Sequence, residues 1–160
     1  AAGGVVHRHG VQRGHRSQLR VVLEGQVVAR DYKEAMKWNL RAADQGVAAA
    51  QMNIASMYYD GTGVAQDYKE AFKWLKLAAA KGDADAQLNL GTMYAVGQGV
   101  ERDLLRGYMW TEIATDALPI SLTEKSQLRE MSSKTLSPDE LTKAKAMAAK
   151  CKESKFKNCE

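Results

Sequence analysis

The chain has 160 residues, 45% of them hydrophobic and 26% charged, with 2 prolines and 2 cysteines. That length and balance describe one domain's worth of ordinary globular sequence and exclude wholesale disorder. The formal charge of +4 sits at the ends: residues 1–20 carry Arg8, Arg13, Arg16 and Arg20 without an acid, residues 143–160 carry six lysines against two glutamates, and the body between is mildly acidic. A phosphate-tracking surface needs Lys and Arg clustered on one face of the folded body, so nucleic acid is not an expected partner. No run of 18 apolar residues occurs, so no helical membrane span is expected.

Residues 1–20 depart from the repeating pattern of the rest and read as a flexible N-terminal arm. His7, His9 and His15 lie in it, but zinc prefers four ligands on a fixed frame, and Cys151 and Cys159 are at the far end of the chain. No metal and no cofactor are expected. The start at Ala1 rather than Met points to a processed product or a fragment, and no signal peptide is visible.

From about Val21 to Leu118 the chain repeats with a period of 36 residues. Asp31-Tyr32-Lys33-Glu34-Ala35-Met36-Lys37-Trp38 returns as Asp67-Tyr68-Lys69-Glu70-Ala71-Phe72-Lys73-Trp74, and Asp103 to Trp110 keeps the Asp and the Trp. Ala50-Gln51-Met52-Asn53-Ile54-Ala55-Ser56-Met57-Tyr58 returns as Ala86-Gln87-Leu88-Asn89-Leu90-Gly91-Thr92-Met93-Tyr94. The connector Gly61-Thr62-Gly63-Val64 returns as Gly97-Gln98-Gly99-Val100, and its earlier copy, Gly25-Gln26-Val27-Val28, lacks the second glycine.

Each unit reads as two helices. In the second, Ala35, Trp38 and Ala42, with Ala71, Trp74 and Ala78, share one apolar face, so both tryptophans should point inward. Asp31…Glu34 and Asp67…Glu70 have the form of capping boxes, and Arg106 breaks the third. Gly46 and Gly82 end these helices, and Asp83 can cap the next. In the first helix, Gln51, Ile54, Ala55 and Tyr58 form the inner face. Ala55 and Gly91 lack bulk, so a neighbouring helix can approach closely. The glycines of each G-x-G read as turn residues rather than a phosphate cradle, since no strand precedes them and no third glycine comes after.

These residues resemble the Sel-one-like repeat (SLR) family, a relative of the tetratricopeptide repeats. Its hallmarks are the A-Q-x-N-[IL]-[AG]-x-M-Y, G-x-G-V and D-Y-x-E-A-x-x-W elements at this spacing. The resemblance implies an all-α fold, an α-α superhelix in which helix pairs stack as a right-handed solenoid. Stacking is also what the residues require, because one helix pair cannot bury its own apolar stripe.

After Trp110 the repeat fades, and residues 119–160 read as capping helices and a tail. Pro119 stops one helix, and Leu122 to about Leu136 forms another, with Leu128 and Met131 inward. Ser137-Pro138-Asp139-Glu140 starts the last helix, which buries Leu141, Ala144, Ala148 and Cys151. This end resembles the terminal cap of bacterial exported SLR proteins. Cys151 and Cys159 could pair across a returning tail, which would imply a periplasmic or secreted protein, while two free thiols would suit the cytosol.

No enzyme signature is found. The repeat body has neither histidine nor cysteine, its aspartates are explained as caps, and Glu112 and Asp116 read as a solvated pair. Stacked helix pairs do create a concave groove, and the wheel lines it with Met52, Asn53 and Ser56 in register with Leu88, Asn89 and Thr92. Such a lining suits a peptide or partner protein. Asn53 and Asn89 serve either a ligand's backbone or a neighbouring helix. The resemblance implies an adaptor role at the bacterial envelope. The second reading is a cell-wall glycan binder, which would want exposed aromatics on the groove, and a hydrolase is a distant third. Lys33, Lys37, Lys69 and Lys73 should form a solvated outer row.

The pattern breaks off inside a helical unit at residue 20, which suggests a fusion junction or a frame shift in the source gene. Reading that gene in its other two frames should then reveal a Gln-x-Asn-Leu-Gly half-repeat; its absence from both would reject the idea.

Overall fold

The computed structural model describes residues 24–159, with side chains from Asp31 onward. The atypical arm and its three histidines lie outside the described residues, as does the junction at residue 20. Among the described residues seven helices succeed one another: α1 (Glu24–Asp44), α2 (Ala48–Asp60), α3 (Tyr68–Ala80), α4 (Ala84–Val96), α5 (Leu104–Ala117), α6 (Leu122–Ser133) and α7 (Pro138–Glu153). From α1 to α6 each helix packs against the next, and α7 returns onto α5. This is an all-α solenoid of helix pairs, with α2–α3 and α4–α5 as its complete units.

The caps show why the helices start and stop where they do. Asp67 accepts from the Lys69 and Glu70 amides, Asp83 from Ala86, and Asp103 from Arg106. Each satisfies first-turn donors that the helix itself leaves unpaired, worth on the order of 1 kcal/mol. Glu70 does not complete a box; it pairs with Lys73 instead. The break at Arg106 is repaired in another way, because its guanidinium bonds back to the Asp103 carboxylate. Asp31 departs further from the expected cap: it lies inside α1, not at its start. The sequence supplies the reason. Val27 stands where Gly63 and Gly99 stand in the later connectors, and without that glycine the chain runs on as helix.

That second glycine does more than turn the chain. Gly63 and Gly99 have φ of +75° and +69°. A Cβ on Gly63 would fall 2.5 Å from the Tyr32 Cβ, and one on Gly99 would clash with the Tyr68 carbonyl. Each connector therefore rests on the backbone of the preceding unit's second helix, an approach closed to any larger residue.

Two clusters of buried residues form a continuous core. One, around Met36, Ala43, Ala50, Ile54 and Met57, joins α1 to α2; the other, around Ala71, Leu75, Leu90, Met93 and Ile113, runs from α2 to the C-terminus. Trp74 packs against both clusters and seals the seam between them. Trp38 does not behave alike: it is 59% exposed, with the Arg41 guanidinium 4.9 Å from its ring. Helix α1 also shows Tyr32 and Leu40 at its surface. The buried Gln87 donates to the Ala79 carbonyl at 3.1 Å, supplying a partner to the last turn of α3. The four lysines of the outer row are exposed, Lys37 and Lys73 beside Glu34 and Glu70.

The expected close helix approach is present at α4 and α5. A Cβ on Gly91 would lie 2.9 Å from the Gly107 carbonyl oxygen and 3.0 Å from the Thr111 hydroxyl. At the C-terminal end, Ala144, Ala148 and Cys151 are buried as the apolar spacing demands, Leu141 near the start of the helix is only half-buried, and Ser137 with Glu140 forms a complete capping box. Helix α6 departs from expectation. Met131 is 74% exposed and Leu128 only half-buried, because α6 buries no residue fully and is held on α5 by its polar face.

Gly91→Val forces α4 and α5 apart. The overpacking should cost about 2–3 kcal/mol, more than the small gain in helix propensity returns. Denaturant unfolding would register the loss, and an unchanged midpoint would show that the crossing can relax.

Candidate functional site

The alternation of first and second helices puts α2 and α4 side by side, and a cleft of about 260 Å³ opens between them. Ser56, Asn89 and Thr92, all expected in the groove, line it together. Its floor is apolar, from Ala55, Leu75 and Met93, and Tyr59 and Asp60 complete its rim. Met52, Asn53 and Leu88 lie outside this cleft. Met52 and Leu88 are half-buried, and Leu88 faces a separate apolar groove against α6 with Leu118, Ile120 and Leu128.

The two asparagines part company. The Asn53 amide donates to the Asn39 side chain of α1 at 3.3 Å, so it braces neighbouring helices. The nearest acceptor for the Asn89 amide is the Met52 sulfur, at 3.9 Å. Sulfur is a weak acceptor, so this contact holds the amide loosely. The Thr92 hydroxyl donates to the Leu88 carbonyl at 3.1 Å and keeps its lone pairs for another donor. Tyr59 and Asp60 were missed in the sequence, although the wheel could have found them: they stand three and four residues after Ser56 on the same helix face. The Tyr59 ring sits edge-on to Tyr68 with centroids 5.1 Å apart, and its hydroxyl donates to Gln98 at 2.9 Å. Tyr94 is buried as expected, edge-on to Phe72, while Tyr58 is half-buried between the two core clusters.

Glu112 and Asp116, the one spaced carboxylate pair on α5, are not a solvated pair. Arg129 of α6 donates to Glu112 at 2.8 Å and to Asp116 at 2.6 Å. Lys152 of α7 bonds the other Asp116 oxygen at 2.7 Å. Tyr108 donates to Glu112 at 3.0 Å, and burial, with that bond second, pushes its phenol up to about 12. Burial alone would raise the Asp116 carboxyl, but Lys152 and Arg129 outweigh it and hold it below the usual carboxylate range. The pair therefore fastens both terminal helices to α5. Cys151 and Cys159, buried beneath α7 and the tail, are joined in a disulfide.

Comparison with known proteins agrees with this architecture. The Sel1 repeat family model matches residues 21–47, 48–83 and 84–117. A protective antigen present in uropathogenic Escherichia coli strains, which displays an SLR fold, superposes with a TM-score of 0.70 at 24% identity, covering 98% of this chain and 36% of that one. A Sel1 repeat protein from Oxalobacter formigenes superposes with a TM-score of 0.54 at 24% identity, covering 78% of this chain and 57% of that one. At such identity the likeness concerns the fold alone, and the chain spans only 36% and 57% of these two proteins. No curated protein matches. Among the described residues no helix is long and apolar enough to cross a membrane.

The Asp116 clamp makes a pH prediction. A carboxyl whose folded pKa lies below its ordinary 3.8 stabilises the fold above that value, and the contribution is lost as pH falls through the lowered one. At neutral pH, Asp116→Asn should cost about 1 kcal/mol, a figure discounted for solvent screening of this half-exposed group. Its melting deficit should close as the pH drops below 3.8. A deficit that is constant with pH would contradict the clamp.

Proposed function

We propose that this chain, which belongs to the Sel1 repeat family, is a non-catalytic scaffold that docks a partner protein's extended peptide or helix in the α2–α4 cleft. Repeats of this family generally serve as protein-interaction modules. The observation that carries the finer reading is the lining itself: a narrow apolar floor with amide, hydroxyl and carboxylate groups along its rim. An extended peptide presents a backbone donor and acceptor at every residue. Asn89 offers both complements, Thr92 and Ser56 offer hydroxyls, and Asp60 accepts. The floor of Ala55, Leu75 and Met93 receives an apolar side chain between them.

A glycan binder is less well supported. Sugar-binding sites offer several open aromatic faces for stacking, whereas Tyr59, 37% exposed, is the one aromatic residue that lines this cleft among the described residues, and its hydroxyl is already bonded to Gln98. The Cys151–Cys159 disulfide favours an oxidising compartment, the periplasm or the cell exterior.

The double variant Asn89→Ala with Thr92→Ala should weaken capture of a partner from envelope extract at least several-fold. Both residues are exposed, so the melting temperature should stay within a few degrees. Crosslinking and mass spectrometry of the captured complex should place the partner at the cleft. Undiminished capture puts binding elsewhere, and retention of glycan instead of protein overturns the reading.

A further inference from the structure

A second cavity, of about 780 Å³, is on the other side of the helix pairs, between α3, α5, α7 and the C-terminal tail. Met109 and Trp110 of α5 form its floor, Met147 of α7 and Phe156 of the tail one wall, and Leu77 of α3 the opposite rim. The tail wall is built by a sharp reversal. Lys155 and Phe156 both take left-handed φ, 53° and 64°, which non-glycine residues rarely adopt in succession. The Cys151–Cys159 disulfide closes that turn. The Phe156 ring packs over Gly82 at the α3–α4 corner, where a Cβ would come within 3.3 Å of it.

Among the described residues, the charged groups that line the cavity are all cationic. Lys76, Lys150 and Lys157 line it, and no carboxylate does so among the described residues. Lys76 is engaged nearby, with its ammonium 6.0 Å from the Phe72 ring. Lys150 and Lys157 are exposed and make no ion pair among the described residues. An apolar floor with cations above it selects a ligand that presents a bulky apolar group beside carboxylates. The rim is open, with Leu77 49% exposed, which suits a peptide that buries one anchor side chain better than an acyl chain that needs enclosure.

We propose that this cavity is a second docking site, independent of the α2–α4 cleft, which takes an acidic peptide segment carrying one bulky apolar residue. The apolar side chain lies on Met109 and Trp110, the flanking carboxylates meet Lys150 and Lys157, and the disulfide-tied tail holds the wall in place.

Fluorescence anisotropy with a fluorescein-labelled Glu-Glu-Leu-Phe-Glu-Glu peptide tests this on the full chain. Saturable binding is expected, weakened by salt and lowered about tenfold or more by Lys150→Glu with Lys157→Glu. Circular dichroism should show that this surface variant stays folded. Cys159→Ser, which frees the tail, should weaken binding similarly, and Asn89→Ala should leave it unchanged. The proposal is overturned by absence of saturable binding, by equal affinity for Lys-Lys-Leu-Phe-Lys-Lys, or by affinity unchanged in the charge-reversed or Cys159→Ser protein. Loss of binding in Asn89→Ala, or displacement of the peptide by decanoate alone at lower concentration than by unlabelled peptide, overturns it as well.

Discussion

Neighbouring helix pairs in this protein meet backbone to backbone, and they can do so only where a residue has no side chain. Among the described residues, Gly63 on Tyr32 and Gly99 on Tyr68 are the two such contacts, one per complete unit. They fix how far each pair stands from the last, and so they fix the spacing of α2 from α4. The cleft between those helices, the seam that Trp74 seals and the continuity of the two core clusters all depend on that spacing. The exception supports the rule: with Val27 in the equivalent place, no connector forms and α1 continues unbroken.

The two limits of the described residues are packed differently. At the C-terminal end the joint is electrostatic as much as apolar. Helix α6 buries nothing fully, yet Arg129 ties it to Glu112 and Asp116, and Lys152 ties α7 to the same aspartate. Three residues of α7 then enter the core, and the disulfide anchors the tail beyond it. At the other limit, Trp38 is exposed where its repeat equivalent Trp74 is half-buried.

The sequence told most about whatever recurs. A fixed period of 36 residues exposed the helix pairs, the caps at Asp67, Asp83 and Asp103, the glycine turns and the small residues at helix crossings, because each is a local requirement repeated in register. Half of the expected groove lining, Ser56, Asn89 and Thr92, meets in one cleft for the same reason. The features that stayed hidden depend on partners far apart in sequence. Nothing local in Glu112 and Asp116 announces Arg129 or Lys152, and nothing local in Asn53 announces Asn39. Met131 misled because the groove it lines with Leu88, Leu118 and Ile120 stays open and leaves it 74% exposed.

The stacking glycines offer the most direct test. Gly97 and Gly99 sit in the same connector, both at positive φ, but only at Gly99 does an added Cβ overlap the preceding unit's backbone; at Gly97 it would meet the Arg102 Cβ at 3.1 Å. Alanine at either site carries a similar conformational cost, about 1–2 kcal/mol. Denaturant unfolding of the two single variants isolates the overlap. If backbone contact sets the stacking, Gly99→Ala is clearly the more destabilising, with faster amide exchange in α3 and α4. Equal losses for the two variants would contradict it.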